Sequence, residues 1–287
     1  HDNLKMPNDN YLALQCSLAL HCFTNEYIYG EDKEETQKLK QLEKFISDAL
    51  SEDEILPWRH IACLASYRPL NNFDWSRNLT VPVHMDNLFL RQVYNIDCEV
   101  CLRDSIPTIG IIREDTSLAV KDQYEDSPYP RWVNIGILQK SMTIPAIANL
   151  AGIQTLPSEL DASNQPEILV AGCGTGQHSI EAAVRYANAH ITAIDLSLSS
   201  LSFASRRTKE LNIKNIKYLH GDILDLTSLK TEFDVIETTG VLHHMSDPML
   251  GWRILKSCLK PKGLMRVGLY SSLARSGLSE VKEKMGE

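Results

Sequence analysis

Apolar positions in the first hundred residues recur at helical spacing. Tyr11 to Phe23 is apolar and rich in Ala and Leu. Glu31 to Leu50 is charged but places Leu39, Leu42, Phe45, Ile46 and Leu50 on one helix face. Acids between Asp32 and Glu35 suit the positive end of that helix. Further helices are predicted over Ile55–Ser66, Met85–Tyr94 and Asp97–Ser105, punctuated by Pro57, Pro69, Pro82 and Pro107. No convincing repeat emerges within this segment.

The texture changes between Glu114 and Leu156. Residues 122–132 set Pro128 and Pro130 among Tyr124, Tyr129 and Trp132, which predicts an extended aromatic segment. Such a segment is costly to leave in water. It is either a linker glued to the next domain or an arm over a ligand pocket. From Glu167 onward, strands and helices alternate: strands at Ile168–Ala171, His190–Asp195, Ile216–Leu219, Phe233–Glu237 and Leu264–Tyr270, with helices at Gln177–Tyr186, Leu198–Leu211 and Pro248–Leu259. This alternation predicts an α/β fold, a Rossmann-like doubly wound and mainly parallel sheet, preceded by an all-helical region. The domains read as 1–113 helical, 114–160 arm and connecting helix, and 161–287 Rossmann-like.

Composition narrows the class. Of 287 residues, 43% are hydrophobic and 23% charged, as in soluble globular proteins. No run approaches the roughly 20 apolar residues of a membrane helix, and no signal peptide is visible. A net charge of −8 argues against a nucleic-acid partner. Arg206 and Arg207 read as a solvated helix face. The seven cysteines are scattered, which predicts reduced thiols and a cytoplasmic protein. Cys98 and Cys101 form the one CxxC pair, with no second pair or His pair nearby, so no metal is expected.

The chemistry concentrates at the strand ends. Gly172, Gly174 and Gly176 follow the first strand of the alternating region, where backbone must approach a ligand and a helix N-terminus offers free N–H groups. Cys173, Gln177 and His178 share that turn. Asp195, with Leu196 beside it, closes the next strand about twenty residues on, a position from which an acid accepts from ribose hydroxyls. A dinucleotide motif would want glycine at position 177; here it is Gln177, and the G-x-G-x-G spacing suits S-adenosylmethionine. After the third strand, Gly221 and Asp222 place an acid for the adenine amino group and Ile223 for the ring; Asp222 as a plain helix cap is the alternative. After the fourth come Glu237, Thr238 and then His243 and His244. The histidines are general-base candidates, with His244 facing the pocket and His243 packing.

Together Ile168–Ile180, Ile191–Asp195, Gly221–Leu224, Phe233–Met245 and Leu259–Tyr270 resemble class I SAM-dependent methyltransferases. More narrowly, residues 66–70, 123–132, 172–178 and 269–275 resemble a bacterial group in which such a domain follows tetratricopeptide repeats. The resemblance implies a methyl-transferring enzyme with S-adenosylmethionine as cofactor and S-adenosylhomocysteine as product. Tyr124, Tyr129, Arg131 and Trp132 would cover the cofactor. It implies an unidentified small-molecule or protein acceptor, a protein partner through the N-terminal helices, and no membrane. It also implies that repeats precede the chain's first residue or have been lost. Two departures stand out. The acid usually found two residues before the first glycine is Val170 here, so Gln177, His178 or the arm must compensate. The antiparallel hairpin that usually follows the fifth strand has little chain after Tyr270, and Ser276–Glu287 reads as a helix. Both departures motivate an alternative, a non-catalytic module that binds SAM or its demethylated product. An NAD-dependent oxidoreductase is disfavoured by Gln177. A DNA amino-methylating motif is rejected at Ser127–Pro130, because its residue order differs and it precedes the glycine turn.

Overall fold

The computed structural model describes residues 9–51, 57–126, 128–137, 140–153, 165–271, 273–274 and 277. The chain divides into two compact units, His1–Cys101 and Leu102–Glu287.

The first unit is helical. It comprises α1 (Asp9–Thr24), α2 (Lys33–Ser51), α3 (Trp58–Leu64), a series of 3-10 turns, and α4 (Asp86–Phe89). From α4 the chain runs through a π turn, Leu90–Tyr94, into α5 (Asn95–Arg103). Ala19, Ile46, Ile61 and Phe89 are fully buried in one core. The amide of Gln92, in the π turn, is buried with them. It accepts from the Leu70 N–H and donates to the Ala65 and Ala19 carbonyls, so one polar side chain ties three segments. Among the described residues no helix is long and apolar enough to cross a membrane. Residues 55–56 of the third predicted helix and the C-terminal helix over Ser276–Glu287 lie outside the described residues, apart from Gly277.

The second unit holds a five-stranded, all-parallel sheet: β1 (Glu167–Ala171), β2 (His190–Asp195), β3 (Ile216–His220), β4 (Phe233–Thr239) and β5 (Leu259–Gly268), in the order β3-β2-β1-β4-β5. Its helices are α6 (Asp115–Asp126), α7 (Ile144–Leu150), α8 (Gln177–Arg185), α9 (Leu198–Glu210) and α10 (Pro248–Ser257). Both sheet faces are covered, which is why β1 is nearly continuous in apolar residues. Ile168 and Val170 pack into one core layer, while Leu169 and Ala171 pack into the other. The strand order reverses between β1 and its neighbours β2 and β4, the switch point where such sheets open a crevice at their carboxyl ends.

Three differences from the sequence reading have physical reasons. The units part at Cys101, earlier than the expected boundary after residue 113. The segment Pro107–Ile109 lies along β3, with the His220 N–H donating to the Pro107 carbonyl and the Ile109 N–H to His220. This pairing covers a sheet edge, so the segment folds with the sheet. Residues 122–126 end α6 instead of beginning the extended segment, because no proline intervenes before Pro128. Strand β5 starts at Leu259 rather than Leu264, its register shifting between Phe233 and Val235 on β4. No further strand pairs with its outer edge among the described residues.

Gly176 shows how tightly the first turn is built. It has φ +84°, and a Cβ there would lie 2.5 Å from the Cβ of Ala204 on α9. We expect Gly176→Ala to lower unfolding free energy by roughly 2–4 kcal/mol in urea titrations, combining left-handed strain with overpacking. A loss below half a kcal/mol would refute this packing.

Candidate functional site

A cavity of about 560 Å³ opens at the carboxyl ends of the strands. Its floor is the turn from β1 to α8. Gly172, Cys173, Gly174, Gln177 and His178 all line it. Gly174 has φ +50°, and a Cβ there would meet no atom within 4 Å, so this glycine leaves open space for a ligand. No side chain caps α8, whose first N–H groups stay available. Gly176 does not line the cavity; it packs against α9. The Cys173 thiol is pushed well above its ordinary value by burial and the nearby Asp195 charge, so it stays protonated.

Asp195 lines the cavity from the end of β2, with Leu196 next to it. Its carboxylate accepts from the Gly174 N–H at 2.7 Å and the Ser197 N–H at 3.0 Å. Burial raises the carboxyl above its usual range and these N–H bonds oppose the rise. The Leu196 N–H adds to these bonds, and the carboxylate's remaining acceptor capacity is left for a ligand hydroxyl. Gly221, Asp222 and Ile223 line the wall after β3. Asp222 does cap its own turn, accepting from the Leu224 N–H at 3.0 Å, and still reaches the cavity.

The aromatic segment divides its labour. Tyr124 and Tyr129 line the cavity. Trp132 does not; it is the anchor. Its ring meets Phe203 edge-on at 5.7 Å and lies 4.5 Å under the Arg207 guanidinium, and its indole N–H donates to the Thr175 carbonyl. The Thr175 hydroxyl donates back to the Pro130 carbonyl at 2.9 Å, so the arm is bonded to the glycine turn itself. The end of α6 is tied to the start of α9 in the same way. The Ser197 hydroxyl donates to the Tyr124 carbonyl, and the Ser199 N–H donates to Glu125. Arg131 is half-buried and off the cavity wall. The expected solvated face at Arg206 and Arg207 is corrected. Arg206 is buried over the Phe203 ring and Arg207 holds Trp132 and the Val133 carbonyl, because aromatic faces attract guanidinium groups.

After β4, His244 lines the cavity while His243 packs against Tyr270, their ring centroids 3.8 Å apart. Glu237 and Thr238 are both 1% exposed and do not line it. Glu237 pairs in register with Val170, so its side chain rises on the face of α8. There Arg185 donates to both carboxylate oxygens at 2.9 and 2.7 Å, the Tyr186 hydroxyl donates at 2.8 Å, and His178 Nε2 lies at 2.5 Å. A carboxylate thus stands one strand over from Val170, bonded within the protein. Burial works against its ionisation, but the His178 hydrogen bond and the Arg185 charge win and hold the carboxyl at about 2.

Sequence reasoning missed Arg185, Glu181 and Arg266 on the cavity wall. The first two were discoverable: His178, Glu181 and Arg185 recur at i, i+3 and i+7, a polar stripe on a helix otherwise facing a core. Arg266, on β5, carried no such signal. Among the described residues no group of three or more His, Cys, Asp or Glu side chains is placed to hold a metal.

Glu237 has its pKa lowered from 4.5 to about 2 on folding, so its stabilisation is present above pH 4.5 and lost as pH falls toward 2. Glu237→Gln should therefore cost about 3 kcal/mol at pH 7 in urea unfolding, with the gap to wild type closing as pH drops below 4.5. A gap that is constant from pH 7 to 3 would contradict the ionised network.

Known proteins share this region. Residues 163–286 match the family model described as a methyltransferase domain. A protein of Synechococcus sp., itself described as uncharacterized, is 36% identical over 120 residues, 42% of this chain and 29% of its own length. The malonyl-(acyl-carrier protein) O-methyltransferase of Bacillus anthracis is 30% identical over 160 residues, 52% of this chain and 57% of that protein. The solved structure of PKMT2 from Rickettsia typhi in complex with AdoHcy is 24% identical, covers 42% of this chain and 24% of that one, and superposes with a TM-score of 0.38. The chain thus spans 29% and 57% of the lengths of the two curated relatives. The similarity to the methyltransferase-domain model lies in residues 163–286, the part of the chain that carries the sheet.

Proposed function

We propose that this chain is a SAM-dependent methyltransferase acting on an unidentified small-molecule or protein acceptor. One observation carries the reading. The glycine turn, Asp195 and the Asp222–Ile223 pair, drawn from three different strand ends, line a single cavity. S-adenosylmethionine bound there supplies an electrophilic methyl group on a sulfonium centre. Asp195 would accept from the ribose hydroxyls with its remaining lone pairs. Asp222 would accept from the adenine amino group, and Ile223 would pack on the ring. The free N–H groups of α8 would meet the amino-acid carboxylate. Tyr124 and Tyr129 would cover the ligand and exclude water. Such a site works by positioning and by dryness more than by covalent help.

The non-catalytic alternative keeps its motives, because Glu237, the carboxylate beside Val170, is bonded to Arg185, Tyr186 and His178 and lies off the cavity wall. The helical unit would serve a protein partner, as tetratricopeptide-like helices do. Exposed Tyr11, Leu14 and Leu18 along α1 support this. Seven free cysteines, with no disulfide among them, support a reducing, cytoplasmic setting.

Calorimetry with S-adenosylmethionine tests the site. Asp195→Ala should weaken binding by about 10²-fold or more, since it removes the ribose acceptor and frees the Gly174 N–H. Asp195→Asn keeps an acceptor for that N–H and should fall in between. Near wild-type affinity in Asp195→Ala would sink the assignment.

A further inference from the structure

The reaction proposed above needs a proton acceptor whenever the methyl acceptor is protonated at neutral pH. Three histidines stand near the cavity, and their surroundings differ. His243 packs at a tilt against Tyr270 and lies off the cavity wall. His244 lines the wall, but the contacts seen for its ring are aromatic, with His243 at 4.3 Å and Tyr270 at 6.0 Å. Neither contact selects a tautomer. His178 lines the wall from the first turn of α8, and Nε2 is held by a carboxylate that is almost wholly buried.

That contact fixes where the lone pair sits. Glu237 is ionised, and an ionised carboxylate only accepts. Nε2 must therefore carry the hydrogen, which leaves Nδ1 as the basic atom of a neutral ring. Arg185 on the same helix pairs with Glu237, and Arg266 on β5 lies 3.8 Å from it, so the carboxylate that orients the imidazole is shared with two guanidinium groups. Glu181 on α8, with Tyr124, Tyr129, Cys173, Asp195, Asp222 and His244 elsewhere on the wall, complete the titratable set lining the cavity.

We propose that His178, oriented by Glu237, is the general base of methyl transfer, and that the acceptor is accordingly a hydroxyl or a carbon acid. This rests on the SAM-dependent reading of the site. The acceptor's X–H bond breaks and its proton passes to Nδ1. The X–CH3 bond forms as the methyl carbon–sulfur bond breaks, and that electron pair stays on sulfur as a neutral thioether. The imidazolium then returns its proton to solvent. His178 is the catalytic residue and Glu237 a positioning residue.

Two measurements test this. The first needs no acceptor: nitrogen NMR of ring-labelled histidine. Wild type should show His178 as the Nε2–H tautomer, and Glu237→Gln should release that preference. A protonated Nδ1 in neutral wild type overturns the proposal. The second uses calorimetry with S-adenosylmethionine, then methyl-labelled S-adenosylmethionine with a bacterial extract as acceptor source. His178→Gln should bind the donor within about twofold of wild type yet lose about 10²–10⁴-fold in transfer rate. That loss should exceed the loss in His244→Gln. Glu237→Gln should lower the rate and displace the limiting pKa of the pH profile. Lost donor binding in His178→Gln makes it a cofactor ligand and overturns the proposal, as does transfer at the wild-type rate. A wild type that binds no donor refutes the SAM reading while leaving the NMR result standing. A wild type that binds donor but methylates nothing overturns the base and leaves a binding module.

Discussion

A carboxylate that is 1% exposed inside a parallel sheet must be compensated, and the second unit is arranged around that need at Glu237. Its partners come from α8 and the residue that ends it: His178 at one end of the helix, Arg185 two turns later, and Tyr186 just past the last turn. Groups so spaced lie on one helical face, so satisfying Glu237 fixes how α8 is rotated on the sheet. The rotation in turn sets the glycine turn, because Gly176 is the residue that enters α8 and packs on Ala204. One buried charge thereby positions the N–H groups that face the cavity.

The aromatic segment depends on the same turn from the other side. Thr175 gives its carbonyl to Trp132 and its hydroxyl to the Pro130 carbonyl. The two tyrosines line the cavity, and the tryptophan that follows them in the chain is clamped by Phe203 and Arg207. The sequence leaves linker and arm as alternatives for this segment. The structure has both, in different residues: Trp132 glues, Tyr124 and Tyr129 face the cavity. The guanidinium groups at Arg206 and Arg207 belong to that clamp, so a basic pair that looks solvated in sequence is structural here.

The alternation of strands and helices, the glycine spacing and the acid closing β2 are local patterns. A sequence carries them fully, because the periodicity of side chains and the conformational needs of a turn act over a few residues. From these the parallel sheet and the cavity at its carboxyl ends are legible in the sequence, and an adenosine-type ligand is the expectation that they raise. What stayed hidden was everything decided between strands. Whether Glu237 faces the cavity or α8 depends on its register with Val170, and register is a pairing between segments far apart in the chain. The same holds for Pro107–Ile109, which joins β3 through two backbone bonds that no local pattern announces. The sequence alone determined which residues could do chemistry and at which strand ends. Only the tertiary structure decided that His178 has a buried carboxylate behind it and that His244, among the described residues, does not, because that distinction is made by a contact between β4 and α8.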